Sequence, residues 1–235
     1  MNLLPIKKII LASFAFALTH WKKVAEISIL PLLLILPLLS ILPEIFEAID
    51  KIFIAGLSDS QDILIPDNFL LYMLLFLYAH LSLSINMYRL VVLGEQSVSR
   101  LSLVLKPRQV LSFIGLTLFV GVLTGLPLLL TNLVWLYLIA YFLIIPITLN
   151  FVNIAIEKPM QYKWNLGFPT QSNLFFLQVL FPMLIGLVAS LITSSIGLPS
   201  AVDWFIKGVV FYWSLVNLAL CYQLISKSEA GQVQK

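Results

Sequence analysis

The amino-acid sequence predicts an all-α integral membrane protein with six transmembrane helices, and three observations lead there. The chain is 60% hydrophobic and only 11% charged, whereas a soluble domain runs near half apolar and a quarter charged. Its apolar residues gather into six runs near the roughly 20 residues that a membrane-crossing helix needs. Most of its charges lie between those runs and are sorted by sign and by loop.

The predicted spans cover residues 24–42, 68–93, 110–130, 133–156, 174–196 and 202–226. The third and fourth are separated only by Thr131-Asn132, because the stretch 110–156 carries no charge and is too long for one crossing. That spacing predicts a tight helical hairpin. Orientation follows from lysine and arginine, which favour the cytoplasmic side. With the amino end inside, that side collects Lys7, Lys8, Lys22, Lys23, Arg89, Arg100, Lys106, Arg108, Lys158, Lys163, Lys227 and Lys235, and leaves Lys51 and Lys207 outside. The 43–67 loop holds Glu44, Glu47, Asp50, Asp59, Asp62 and Asp67. Both termini are therefore expected in the cytoplasm. Trp21, Trp135, Trp164 and Trp204 fall near span ends, where aromatic belts form. The net charge of +3 thus speaks of topology and membrane lipids, and no nucleic-acid partner is expected.

Three segments lead directly into spans: 4–22, 96–109 and 159–173. In the first, Lys8, Ala12, Ala15, Thr19 and Lys22 share one helical face, and Ile10, Phe14, Ala17, Leu18 and Trp21 the other. Such a helix suits the membrane interface. A cleaved signal peptide ending near Ala15-Phe16-Ala17 is the alternative, but its apolar run is short and Lys22 and Lys23 follow at once. The other two segments are less regular, with Pro107, Pro159 and Pro169 where helices would start or stop. Leu83-Ser84-Ile85-Asn86 and Ile147-Thr148-Leu149-Asn150 match in kind at an offset of 64 residues. They raise a parallel repeat in which spans two and three correspond to spans four and five.

These alternating interfacial helices and spans, with Met87-Tyr88-Arg89-Leu90-Val91-Val92-Leu93-Gly94-Glu95 and Lys163-Trp164-Asn165-Leu166, carry a resemblance. The chain resembles small six-spanning bacterial membrane proteins of unknown function, related to the membrane domain that precedes the catalytic domain in some bacterial glycerophosphodiester phosphodiesterases. The resemblance covers nearly the whole chain and implies a bacterial inner-membrane location. The phosphodiesterase domain has no room here, so its activity does not carry over.

No zinc-binding His-Glu-x-x-His, no Gly-x-Ser-x-Gly elbow and no Gly-x-x-x-x-Gly-Lys phosphate loop occurs. Cys221 is the single cysteine, which excludes an internal disulfide and a multi-cysteine metal site. No catalytic residue, metal or cofactor is expected. His80 stands alone near the middle of span two, as a neutral hydrogen-bonded histidine or, less simply, a proton-handling one. Gly121-x-x-x-Gly125 and Gly186-x-x-x-Ser190-x-x-x-Ser194 are small-residue faces expected to pack against neighbouring helices of the same chain, with a homodimer interface as the alternative. Pro31, Pro37 and Pro43 recur every six residues, a turn of about 600°, so they share no face and instead bend or end span one.

The remaining polar groups form one pattern toward the cytoplasmic ends of spans two and four. Ser82, Asn86 and Arg89 are spaced i, i+4, i+7, and Asn150, Asn153 and Glu157 are spaced i, i+3, i+7, so each set lines one helical face. If the faces meet, Arg89 and Glu157 have matching depth. Such a seam serves as structural glue, or holds a headgroup or solute. The leading function is a non-enzymatic, lipid-interacting scaffold acting in envelope maintenance, with basic segments near anionic headgroups. The alternative is a transporter or channel component using the seam as a polar pathway.

Overall fold

In hydrocarbon no water satisfies the peptide groups, so each apolar run must close its own hydrogen bonds as a helix. The computed structural model describes residues 4–55, 66–98, 103–104, 106–131, 134–161, 164 and 166–233, and among these there are helices and no strand. Six stretches are long and apolar enough to cross a membrane: Trp21–Ser40, Phe69–Leu93, Pro107–Pro127, Trp135–Ala155, Phe168–Ile196 and Ala201–Ser228. The protein is an all-α, multi-pass membrane protein, and its spans coincide with the predicted ones within a few residues, except that span five begins earlier.

Helix α1 (Ile6–Thr19) forms as expected and breaks at His20 before α2 (Trp21–Ser40). Leu11, Phe14, Leu18 and Trp21 lie exposed along it, spaced for one apolar face. Helix α3 (Leu42–Ala55) occupies much of the stretch read as an acidic loop. Pro43 enters its first turn, where a missing N–H costs nothing, so this proline starts a helix as well as ending a span. Asp59 and Asp62 lie outside the described residues.

Helix α4 (Phe69–Leu93) ends at Gly94, whose φ of 86° suits glycine. A short 3-10 turn, Glu95–Ser97, follows, and Val98 is extended. Helix α5 (Pro107–Thr131) then starts on its proline, which also disfavours helix in the residue before it. Within the segment 96–109, residues 98, 103, 104 and 106 are non-helical, while 99–102 and 105 lie outside the described residues; residues 159–161 are likewise non-helical. The second half of the third segment belongs to α8 (Phe168–Phe175), which runs on through a π-helical stretch, Phe176–Leu180, into α9 (Phe181–Ile196). Pro182 removes the N–H that the Gln178 carbonyl would receive, and the wider winding sits just ahead of it. Helix α10 (Ser200–Val233) closes the bundle.

Span four tightens at Leu149, which keeps helical dihedrals and donates its N–H to the Pro146 carbonyl at 3.3 Å. Helix α6 (Val134–Thr148) passes through this tighter turn into α7 (Asn150–Ala155). Pro146 leaves the Phe142 carbonyl without its helical donor, and Gln171 of α8 supplies one from its Nε2 at 2.7 Å. Of the predicted hairpin turn between α5 and α6, Asn132 lies outside the described residues.

The core sits at one end. From Ala79 to Leu90, α4 is buried on nearly every side, packed among α2, α7 and α10. That end gathers the start of α2, the starts of α5 and α8, and the ends of α4, α7 and α10. Its ties include Asn173 Nδ2 to the Leu4 carbonyl at 3.0 Å, Gln223 Nε2 to the Val91 carbonyl at 3.1 Å and His20 Nδ1 to Glu95 Oε1 at 2.7 Å. Toward the other end, Leu33, Leu74, Phe119, Ile139 and Leu187 are about half exposed or more. Such surfaces are stable against lipid tails, which are as apolar as leucine.

The expected packing of the small-residue faces within the chain is corrected by the structure. A Cβ built on Gly121, Gly125 or Gly186 meets no atom within 4 Å. On α5 the packed face is Phe113, Leu116, Val120 and Thr124, one residue out of register with the glycines. On α9 it is Ala189 and Thr193, while Ser194 is exposed. Of the predicted set only Ser190 has a described tie to another helix, its hydroxyl donating to Asp203 Oδ1 at 2.8 Å.

Candidate functional site

The polar residues read from the sequence lie at the packed end. Ser82, Asn86, Asn150 and Asn153 are buried, Arg89 is partly covered and Glu157 is at the surface. Helix α7 ends in a left-handed closure: the Lys158 N–H donates to the Asn153 carbonyl at 2.8 Å, the Glu157 N–H to Ile154 at 3.2 Å, and Glu157 has φ of 61°. Glycine or asparagine usually takes this position, and a non-glycine residue there costs about 1 kcal/mol or more. What holds glutamate in it is charge. Arg89 Nη2 donates to Glu157 Oε1 at 2.5 Å, and Lys106 Nζ donates to both carboxylate oxygens at 2.7 and 2.6 Å. The Lys106 hydrogen bond, with the charges of Lys106 and Arg89, holds the Glu157 carboxyl below its ordinary range.

The backbone before Glu157 is capped by two other helices. Arg89 Nε donates to the Ala155 carbonyl at 2.9 Å, and Gln109 Nε2 donates to Ile154 at 2.8 Å and Ala155 at 2.9 Å. A helix leaves its last carbonyls without partners, and here α4 and α5 supply the donors. Gln109 is fixed in this orientation, since reversing its amide would set oxygen against oxygen. Its Oε1 is buried without a partner among the described residues.

The described bonds of the asparagines reach segments other than the one their spacing suggests. Asn86 Nδ2 donates to the Ser82 carbonyl one turn back in its own helix, at 2.8 Å. Asn150 clasps the Gln161 backbone, donating to its carbonyl and accepting its N–H, both at 2.8 Å. Asn153 donates to Asn150 Oδ1 at 3.0 Å and accepts from the Tyr222 hydroxyl of α10 at 2.7 Å. Thus Arg89 meets Glu157 across α4 and α7, whereas the described bonds of Asn150 and Asn153 run to the 159–161 turn and to α10. Lys106, Gln109, Gln161 and Tyr222 were missed from the sequence. Gln109 alone left a trace, as an amide directly before an uncharged span.

Three cavities adjoin this framework. The first, about 440 Å³, is lined by Lys106, Arg108, Gln109, Glu157, Lys158 and Met160. The second, about 320 Å³, is apolar, with Gly115, Leu116, Phe119 and Ile147 beside Asn150, and shares Ser112 and Met160 with the first. The third, about 170 Å³, lies at mid-span and is lined by His80, Ser84, Tyr88, Thr117, Tyr141 and Gln178, among others. Phe76 and Phe211 flank the His80 ring at 6.5 and 5.2 Å between centroids. No hydrogen bond to a neighbouring helix holds His80 among the described residues, and the Ser84 hydroxyl is buried without one. Among the described residues no group of three His, Cys, Asp or Glu side chains is placed to hold a metal. No family model, curated protein or solved structure matches the chain.

Proposed function

We propose that this is a non-enzymatic protein of the bacterial inner membrane, a lipid-interacting scaffold in envelope maintenance, with both termini and the Arg89 end in the cytoplasm. It corresponds on this reading to the membrane part of the phosphodiesterases it resembles, without their activity. The observation that carries it is the gathering of basic residues at one end. Lys22, Lys23, Arg89, Lys106, Arg108, Lys158 and Lys227 all belong to elements that meet there, and of the described side chains only Lys207 stands apart at the other. Cationic residues beside a span favour the cytoplasmic side and the anionic lipids of its leaflet. The strongest polar contacts, Arg89–Glu157–Lys106 and Asn153–Tyr222, join helices to each other, which suits a structural role.

The test is the lipid that stays with the full-length protein through purification in mild detergent. Mass spectrometry of the extract should show anionic phospholipid enriched over its share of the membrane. Protein that retains no lipid would refute the reading.

The mid-span cavity favours transport as a second reading, because a polar-lined space within hydrocarbon is where a solute pathway would run. Cysteines placed at Asn86 and Asn150, and in the cavity wall at Thr117, separate the two. Labelling of all three by a water-soluble reagent in the folded protein supports transport, and protection of all three supports the scaffold.

A further inference from the structure

We propose that the two adjoining cavities between α5 and α7 are one binding site for an anionic phospholipid, with the phosphodiester in the basic cavity and an acyl chain in the apolar groove. This rests on the lipid-interacting reading and narrows it to a place and a headgroup.

Charge gives the first argument. The basic cavity presents Lys106, Arg108 and Lys158 against a single acid, Glu157. Glu157 is already shared between Arg89 and Lys106. Arg108 and Lys158 have no ion-pair partner among the described residues, so two cations are left for a phosphodiester. Gln109, held by the Ile154 and Ala155 carbonyls, adds a neutral wall beside these cations.

Shape gives the second. The cavities adjoin, with Ser112 and Met160 in the walls of both, and each has a volume typical of a small-molecule site, roughly 300–1,000 Å³. From Arg108 to Phe119 along α5 the groove rises about 16 Å at about 1.5 Å per residue. That is half of the roughly 30 Å hydrocarbon core, the depth one acyl chain fills. Gly115 and Phe119 are exposed on this wall, so the groove opens sideways to lipid. Free phosphate would use the cations and leave the groove without a purpose. A phospholipid uses both, in the order in which they occur.

The experiment is native mass spectrometry of the full-length protein in detergent, titrated with phosphatidylglycerol or with phosphatidylcholine of the same chains. Phosphatidylglycerol should bind on the order of tenfold more tightly, and the double variant Arg108→Gln/Lys158→Gln should remove most of that preference without changing phosphatidylcholine binding. Both side chains are exposed, so folding is preserved. Gly115→Leu should weaken both lipids by filling the groove, since a Cβ there meets nothing within 4 Å; Gly121→Leu, outside the groove, should change neither. Millimolar inorganic phosphate or glycerol 3-phosphate should not displace the lipid. An unchanged preference in the double variant, or displacement by inorganic phosphate, overturns the site. Bound lipid without any headgroup preference also overturns the site and leaves the lipid-interacting reading standing, whereas wild-type protein that binds no lipid overturns both.

Discussion

Replacing Arg89 by alanine removes two hydrogen bonds, one to the Ala155 carbonyl and one to Glu157. A hydrogen bond to a charged group contributes about 1.5–3 kcal/mol when buried. Here neither acceptor is left alone, because Gln109 still caps Ala155 and Lys106 still holds Glu157. The Glu157 side chain is also 43% exposed, which screens the ion pair to about 0.2–1 kcal/mol. Arg89→Ala is therefore expected to cost about 1–2 kcal/mol, and Glu157→Ala about 0.5–1 kcal/mol. Two double-substitution cycles should depart from additivity in opposite directions. Arg89→Ala with Glu157→Ala should cost less than the sum, by a few tenths of a kcal/mol to about 1, because each single change already removes their shared contact. Arg89→Ala with Gln109→Leu should cost more than the sum, by about 1–3 kcal/mol, because only the pair orphans the wholly buried Ala155 carbonyl. Cys221, the only cysteine and fully buried, reports unfolding through a thiol-reactive dye during heating in detergent. At this chain length 1 kcal/mol moves the midpoint by about 2–4 °C. Additivity in both cycles would refute the capped-helix account.

Other perturbations follow from the same contacts. Gly121→Leu and Gly125→Leu should leave the melting midpoint within about 0.5 kcal/mol of the parent, and a large loss would mean that this face does meet another helix. Gln171→Leu should destabilise the parent through the orphaned Phe142 carbonyl and do far less beside Pro146→Ala, which restores the helical donor; equal losses in both backgrounds would remove Gln171 from that role. The depressed Glu157 carboxyl binds protons less readily folded than unfolded. Its stabilisation is therefore present above the ordinary value of 4.5 and lost as pH falls through the lowered one; Glu157→Gln should flatten that part of the acid melting curve. In a Cys221→Ser background, cysteines at Ser58 and Ser200 should react with an impermeant reagent outside intact cells and those at Ser99 and Gln161 should not, and labelling at Ser99 would invert the topology.

Span positions were legible because hydrocarbon imposes one strong rule on composition, and residues 68–93 and 133–156 obey it whatever they pack against. Helix α3 was not legible, since its acidic residues look like loop until Pro43 is recognised as a helix start. The described residues 98, 103, 104 and 106 are non-helical for a local reason: Gly94 ends α4 with a positive φ, and Pro107 disfavours helix in the residue before it. Helical spacing placed Arg89 and Glu157 at one depth, and the two do meet. The same spacing says nothing about Lys106 or Tyr222, which reach α7 from distant chain segments, nor about which of two adjacent registers on α5 faces inward. Gly121 and Val120 are neighbours in sequence, and only tertiary packing chose the valine.

Because α4 is enclosed on nearly every side from Ala79 to Leu90, the apolar residues answer to two different requirements. Ile85, wholly buried among three other helices, must match a shape. Leu118, mostly exposed along α5, must only dissolve in hydrocarbon, and isoleucine, valine or phenylalanine would serve as well. A saturating substitution library would therefore split each long span lengthwise, intolerant of apolar exchange near Arg89 and indifferent to it beyond. Over many generations such a chain is free to rewrite more than half of its membrane-facing text while the knot that ties its helices together stays as it is.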